Sequence, residues 1–278
     1  MAPVTPSGLP LEQRCLVMGV LNVTPDSFSD GGDFFDPQRA LDRALQMQDE
    51  GAAVIDVGGE STRPGAGPVS ASDELQRVIP VIDALQAQLT VPISIDTRKP
   101  EVLQAAVAAG AGLINDVNAL RAPGALEAAR ASAVPVCLMH MHGDPRTMQA
   151  DPHYADVVAE VKTFLLQRVA ACEAAGIGRQ RLLLDPGFGF GKTVEHNLQL
   201  LARLEELAAT GLPVVVGLSR KSMIGKLLGL DIAGRLPASI ALAVLAVERG
   251  ARLVRAHDVA ATWQAVQMQA AVQRVQQR

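Results

Sequence analysis

Cysteine is scarce: Cys15, Cys137 and Cys172 are an odd number, widely spaced along 278 residues, which excludes a disulfide framework as the basis of the fold. Two of the three sit in apolar strand-like runs, as reduced, buried thiols do, and the cell interior is implied. Neither sign of charge dominates. With 25 basic and 29 acidic residues and a formal charge of −4, the composition argues against nucleic acid or an anionic membrane as the main partner and leaves a small molecule. Residues 1–10 carry no basic residue and no apolar segment of the kind a signal peptide needs. The longest apolar run, residues 238–247, is far short of the roughly 20 residues that span a bilayer.

Nucleotide-binding loops are missing as well. The segment DPGFGFGKT (185–193) ends like a phosphate loop, but Pro186 stands where that motif needs glycine. Lys192 occupies the place of the third glycine of a dinucleotide fingerprint. The glycines here suit a backbone passing close to a flat ligand beside Asp185.

What is present is one pattern repeated eight times. Apolar runs occur at CLVMGVLN (15–22), AAVIDVGG (52–59), VPISIDT (91–97), GLINDV (112–117), VPVCLMH (134–140), RLLLDPG (181–187), PVVVGLS (213–219) and ARLVRAH (251–257). Between them lie helical patterns, among them PQRALDRALQMQDEG, PEVLQAAVAAG, NLQLLARLEELAATG and PASIALAVLAVERG, most opening at proline or a polar residue and closing at glycine. Apolar strands alternating with helices mean a covered parallel sheet. Nearly half the residues are apolar, enough for one sizeable core. The expectation is a single (β/α)8 barrel over residues 14–278, with a flexible N-terminus at 1–13 and long mobile loops after strands 1 and 2; an open doubly wound sheet is the competing arrangement.

Each run ends in residues with chemistry: Asn22, Asp56 and Glu60, Asp96, Asn115 and Asp116, His140 and His142, Asp185, Ser219 with Lys221, and Arg255 with His257. In a barrel those ends converge on one mouth, where barrel enzymes keep their sites. Taken singly, each polar residue is equally well read as a helix cap or a strand-end turn. His140 and His142 fall on one face of an extended strand, and with His257, Asp258 and Asp185 they leave a metal-dependent hydrolase open as an alternative.

The strings MGVLNVTPDSFSDGG, GAAVIDVGGESTRPGA, PISIDT, LINDVNAL, LMHMHGDPRTMQ, LLDPGFGFGKT, VVVGLSRKSMIG and RLVRAHDV resemble those of the bacterial dihydropteroate synthase family, over residues 14 to 275. The resemblance implies a pterin-binding barrel that condenses 6-hydroxymethyl-7,8-dihydropterin diphosphate with p-aminobenzoate, giving 7,8-dihydropteroate and pyrophosphate. It implies a pterin pocket of Asp96, Asn115, Asp185, Lys221, Val117, Met139, Phe190 and Gly217. A p-aminobenzoate subsite would use Thr62, Arg63, Pro64, Ser219, Phe28 and Lys221. Asn22, Arg63, Arg255 and His257 would hold the diphosphate, with Asn22 an oxygen ligand to Mg2+. Asp96, Lys221, Asp185, Arg255, Asp26 and Phe28 would carry the chemistry.

Those residues suit the reaction. Acceptors at three strand ends match a heterocycle edged with N–H donors, and carboxylates facing the ring favour a cation left by diphosphate loss, an SN1-like route. Lys221 would orient the ring through its carbonyl and N5, with Arg220 turned outward. An aniline nitrogen needs no strong base, in keeping with the lack of a Ser/His/Asp or Cys/His set. In the first loop, Gly31 and Gly32 allow movement while Pro25 and Phe28 form an apolar cover, and Asp26 and Asp33 can orient the amine or magnesium water. The last segment, 259–278, reads as an amphipathic helix, and the resemblance implies a homodimer through such helices. A catalytically silent pterin-binding homologue is a further alternative, although binding a pterin alone would need neither Arg255 and His257 nor Ser219.

Overall fold

The computed structural model of the protein describes residues 9–11, 14–24, 37–61, 67–144 and 147–276. Eight parallel strands among these residues close into a barrel in chain order: β1 (Leu16–Asn22), β2 (Val54–Gly58), β3 (Ile93–Asp96), β4 (Leu113–Asp116), β5 (Val136–Met139), β6 (Leu182–Asp185), β7 (Val214–Val216) and β8 (Ala251–Ala256). β8 pairs with β1 through Met18 and Arg255, among others, which completes the circle. The open-sheet alternative is therefore set aside. Each observed strand lies within its apolar run, shortened at one or both ends.

Helices α1 (Pro37–Asp49), α2 (Ala71–Gln86), α3 (Pro100–Ala108), α4 (Ala125–Ser132), α5 (Val157–Ala174), α6 (Val194–Ala202), α7 (Glu205–Ala208), α8 (Ser222–Leu228), α9 (Leu236–Glu248) and α10 (Val259–Gln276) cover the barrel. Their starts follow local chemistry. Ser70 accepts the Asp73 N–H ahead of α2, Asp156 accepts from Val158 and Ala159 ahead of α5, and Thr193 forms a capping box with His196 ahead of α6. The pattern at 197–211 predicts one helix, but the chain breaks it at Arg203. At the break, that side chain pairs with Asp156 at 3.0 Å and with Glu206 at 2.6 Å.

Strand alternation makes two cores. One set of side chains, including Ile55, Val57, Ile95, Ile114, Leu138, Leu184 and Val216, packs outward against the helices. The other set, Leu16, Met18, Val54, Leu113, Cys137, Leu183, Val215 and Leu253, fills the barrel. Leu9 and Leu11 join that inner cluster and are buried, so residues 9–11 of the expected flexible N-terminus are packed: the inner layer is apolar, and its apolar neighbours are drawn out of water with it.

The expected amphipathic pattern of the C-terminal helix is also corrected. In α10, Thr262 and Gln269 are buried while Met268, Val272 and Val275 are exposed. An apolar outer face on α10 breaks the simple division of sides.

Candidate active site

The period of two that fills the barrel also builds its mouth. Two residues beyond Val54, Leu113, Leu183 and Leu253 stand Asp56, Asn115, Asp185 and Arg255, so each faces the same interior. Asp96 enters beside them, in register with Asn115 on one side and Gly58 on the other. An apolar floor is thus topped by a layer of acceptors around one guanidinium.

Arg255 ties this layer together. Its Nε donates to Asp56 Oδ2 at 2.6 Å and its Nη2 to Asp96 Oδ2 at 2.8 Å. Burial pushes the Asp96 carboxyl up to about 7, with Arg255 pulling the other way. Burial also raises Asp185, whose Oδ1 accepts the Gly187 N–H at 2.7 Å. The expectation for Arg255 was an anion holder. Two of its five N–H groups are committed to carboxylates, and the remaining three are what it can offer an anion.

Lys221 is held across the pocket. Its ammonium sits 4.3 Å from the centre of the Phe190 ring. Burial lowers its pKa to about 8, with Asp185 opposing. Arg220 does turn outward, paired with Asp258 at 2.5 Å.

The apolar wall is a small cluster of its own: Val117, Met139, Met141 and Met148, with Phe190 packed against it. Three of these were expected. Met141 and Met148 were not, and nothing in their loop context marks them. Asp116 separates from its neighbour Asn115: its carboxylate accepts the N–H groups of Asn118 (2.7 Å) and Leu120 (2.8 Å) and shapes the turn after β4.

Lys192, which the sequence used only to exclude a dinucleotide fingerprint, has a definite place. Its buried ammonium donates to Gly187 O (2.9 Å) and Phe190 O (3.0 Å) and meets His140 Nδ1 at 2.9 Å. Asn197 Oδ1 takes the Gly189 N–H at 2.7 Å, and Tyr154 Oη donates to Gly191 O at 2.9 Å. Side chains therefore clamp the whole 187–191 turn. A lysine inside a glycine-rich segment was the available signal.

His140 is consequently no free metal ligand. Burial and the Lys192 charge push its pKa down to about 2, and its ring stands edge-on to Phe164, centroids 4.9 Å apart. His142 is exposed beside Tyr154. Among the described residues no group of three or more His, Cys, Asp or Glu side chains gathers as a metal cage. The geometry a metal hydrolase needs is not built from the side chains that suggested it.

Ser219 and His257, assigned from sequence to different subsites, are neighbours. The His257 N–H donates to Ser219 Oγ at 3.2 Å, and Nδ1 lies 3.0 Å from the same oxygen. Burial, then Arg255, lowers the His257 pKa to about 4, so the ring is neutral near pH 7. With the Ser219 proton toward Nδ1, the ring proton sits on Nε2, ready to donate. Asn22 ends β1, and no described residue hydrogen-bonds its side-chain amide. Gly217 follows β7 on the inner face.

Glu60 turns to the rim. It accepts from Lys99 (2.7 Å), Arg98 (3.2 Å) and the Val69 N–H (3.3 Å), and Lys99 also binds buried Glu74. This network fastens both ends of the connection from β2 to α2. Asp26, Phe28, Asp33, Pro25, Gly31 and Gly32 of the first loop, and Thr62, Arg63 and Pro64 of the second, lie outside the described residues.

The chain is similar to known proteins over most of its length. The family model described as pterin binding enzyme matches residues 18–257. The dihydropteroate synthase of Escherichia coli strain K12 is 54% identical over 252 residues, covering 91% of this chain and 89% of that protein. The Xanthomonas albilineans dihydropteroate synthase solved with 4-aminobenzoic acid superposes with a TM-score of 0.92 at 54% identity, covering 98% of this chain and 99% of that one. The Yersinia pestis dihydropteroate synthase solved as a sulfonamide drug complex gives a TM-score of 0.92 at 50% identity, over 97% and 98% of the two chains.

Proposed function

The chain belongs to the pterin-binding enzyme family and has the transferase activity of a dihydropteroate synthase; from that premise we propose how its strand ends divide the reaction. The observation that carries the proposal is the acceptor layer around Arg255, with Lys221 over Phe190 on one side and the Ser219–His257 pair on the other.

A dihydropterin presents a flat ring with donors along one edge. Asp96, Asn115 and Asp185 receive those donors, the Val117–Met139–Phe190 wall takes the ring, and Lys221 donates to its carbonyl and N5. Once the ring is seated, its methylene faces the cationic side of the mouth. Arg255 and the neutral His257 ring donate to diphosphate oxygens, and they stabilise the charge that builds there as the C–O bond breaks. The electrons of that bond leave with pyrophosphate, and the carboxylates stabilise the cation that remains. The aniline nitrogen of p-aminobenzoate then attacks the methylene and passes its proton to pyrophosphate or solvent. The backbone N–H groups ahead of α8 take its carboxylate beside Ser219, whose own proton is committed to His257 Nδ1, and Thr62, Arg63, Pro64 and Phe28 are assigned to the same subsite. Asp26, outside the described residues, is assigned to orient the incoming amine or a magnesium-bound water.

Magnesium fits these donors. Asn22 offers a neutral amide oxygen that no described side chain occupies, and a Mg2+ ion, which keeps several waters and takes substrate phosphate oxygens, would need few protein ligands beside it. When bound it supplies charge neutralisation to the leaving pyrophosphate.

The same reading makes the molecule a cytoplasmic homodimer. Its three cysteines are free and buried, and no described single helix is long and apolar enough to cross a membrane. Leu245, Met268, Val272 and Val275 are exposed along α9 and α10, beside a groove of about 540 Å3 lined by Val244 and Ala265. Sulfonamides, one of which the Yersinia relative binds, are expected to compete with p-aminobenzoate.

The test is direct. Purified protein given both substrates with Mg2+ is expected to release pyrophosphate and dihydropteroate in equal amounts; pyrophosphate without dihydropteroate would reveal a hydrolase instead.

A further inference from the structure

Asp56 touches no substrate in the scheme above, yet it is the most deeply buried acid of the mouth. Its side chain is fully enclosed. One of its oxygens, Oδ2, accepts from Arg255 Nε at 2.6 Å and from Asn115 Nδ2 at 3.1 Å. Its other oxygen has no hydrogen-bond partner. A buried carboxylate so placed must be kept for what its bonded oxygen does, because an unsatisfied polar atom in the interior is costly.

The two donors it receives belong to the two halves of the site. Asn115 is an amide, able to face a ligand with either its NH2 or its carbonyl oxygen. A carboxylate can only accept, so the group of Asn115 that meets Asp56 is the NH2. That orients the amide with its carbonyl oxygen turned away from Asp56, able to accept from a ligand, while the second N–H of the NH2 group stays uncommitted. Arg255, held at Nε, is fixed with its Nη groups turned from Asp56, one of them to Asp96.

We propose that Asp56 is a positioning residue that sets Asn115 as an acceptor toward the heterocycle and Arg255 as a donor toward the anion, so that one oxygen atom aligns both halves of the substrate. The inference rests on the pterin and diphosphate assignments made above. It assigns selectivity: a ring that offers an N–H at Asn115 is accepted, and one that offers an acceptor there meets another oxygen.

Binding of 6-hydroxymethylpterin, followed by its fluorescence, and of inorganic pyrophosphate with Mg2+, followed by calorimetry, separates the two halves. Asp56→Ala is expected to weaken each by about tenfold or more, as loss of a bond to a charged group does, while KM for p-aminobenzoate changes less than about threefold. Asp56→Asn keeps an acceptor oxygen of the same reach and is expected to bring pterin binding back to within about threefold of the parent. Should Asp56→Ala fail to fold, Asp56→Ser, whose hydroxyl is too short to reach both donors, is read in its place. Unchanged pterin and pyrophosphate binding in the truncated variant would overturn the inference. So would an Asn variant that binds pterin no better than the truncated one, or an equal loss of all three ligands. Failure of the parent protein to bind pterin or pyrophosphate would instead sink the assignments beneath it.

Discussion

Lys221 illustrates how far burial tunes a single residue here. Its ammonium lies against Phe190, and desolvation lowers its pKa to about 8. A lysine with a lowered pKa is charged below that value and neutral above it. If the charged form orients the pterin, kcat/KM for the pterin diphosphate is expected to fall as pH rises through about 8. Lys221→Arg stays charged throughout, so its alkaline limb is expected to move upward, although from a lower plateau, since a planar fork does not reproduce the ammonium. A pH–rate profile of both proteins checks this, and an unmoved limb would count against Lys221. The sequence marked Lys221 as a candidate because it follows a strand end. It did not disclose the partners of Arg255, because alternation gives a side chain's face but not its neighbours. It also gave Asp56 only a position, and Lys192 only an argument by exclusion. Both are residues whose importance lies in contacts with distant parts of the chain, Asp56 with Arg255 from 199 positions along it and Lys192 with His140 from 52.

At the scale of elements, the turn after β6 is the most tightly determined part of the mouth. Gly187 has φ +68°, and a Cβ there would lie 1.9 Å from the His140 carbonyl oxygen, an atom fixed by the barrel. Gly187→Ala is therefore expected to cost ~3 kcal/mol or more, combining left-handed strain with a backbone collision. Gly211 is the control. It also has positive φ, +79°, but a Cβ there would meet nothing within 4 Å, so Gly211→Ala is expected to cost only about 1–2 kcal/mol. Urea unfolding of the two variants measures the difference, and equal costs would mean that the 187–191 turn is free to move. The eight strands were legible because a continuous apolar run needs no tertiary information to be recognised. The break at Arg203 was not, because the apolar and charged pattern of residues 197–211 runs through it without a proline or glycine to mark it. The packing of Leu9 and Leu11 was hidden for the same reason: two leucines near a terminus show no period.

For the whole molecule, the barrel explains why residues from all along the chain share one reaction: closing eight strands in order brings their ends together without any long-range motif. The exposed apolar face of α9 and α10 belongs to the same scale. Val272→Glu with Met268→Glu is expected to convert a dimer to monomer in sedimentation equilibrium; a parent already monomeric at micromolar concentration would remove the homodimer from the account. The central claim is that acids facing the ring let the pterin methylene shed its diphosphate before the amine attacks. Placing 18O in the bridge between methylene and phosphorus and incubating with enzyme and Mg2+, without p-aminobenzoate, follows that step alone. Label is expected to migrate from the bridge to the non-bridging oxygens of recovered substrate, as reversible C–O cleavage and rotation of the bound pyrophosphate require. Label that stays wholly in the bridge, in protein that turns over when p-aminobenzoate is added, would contradict it.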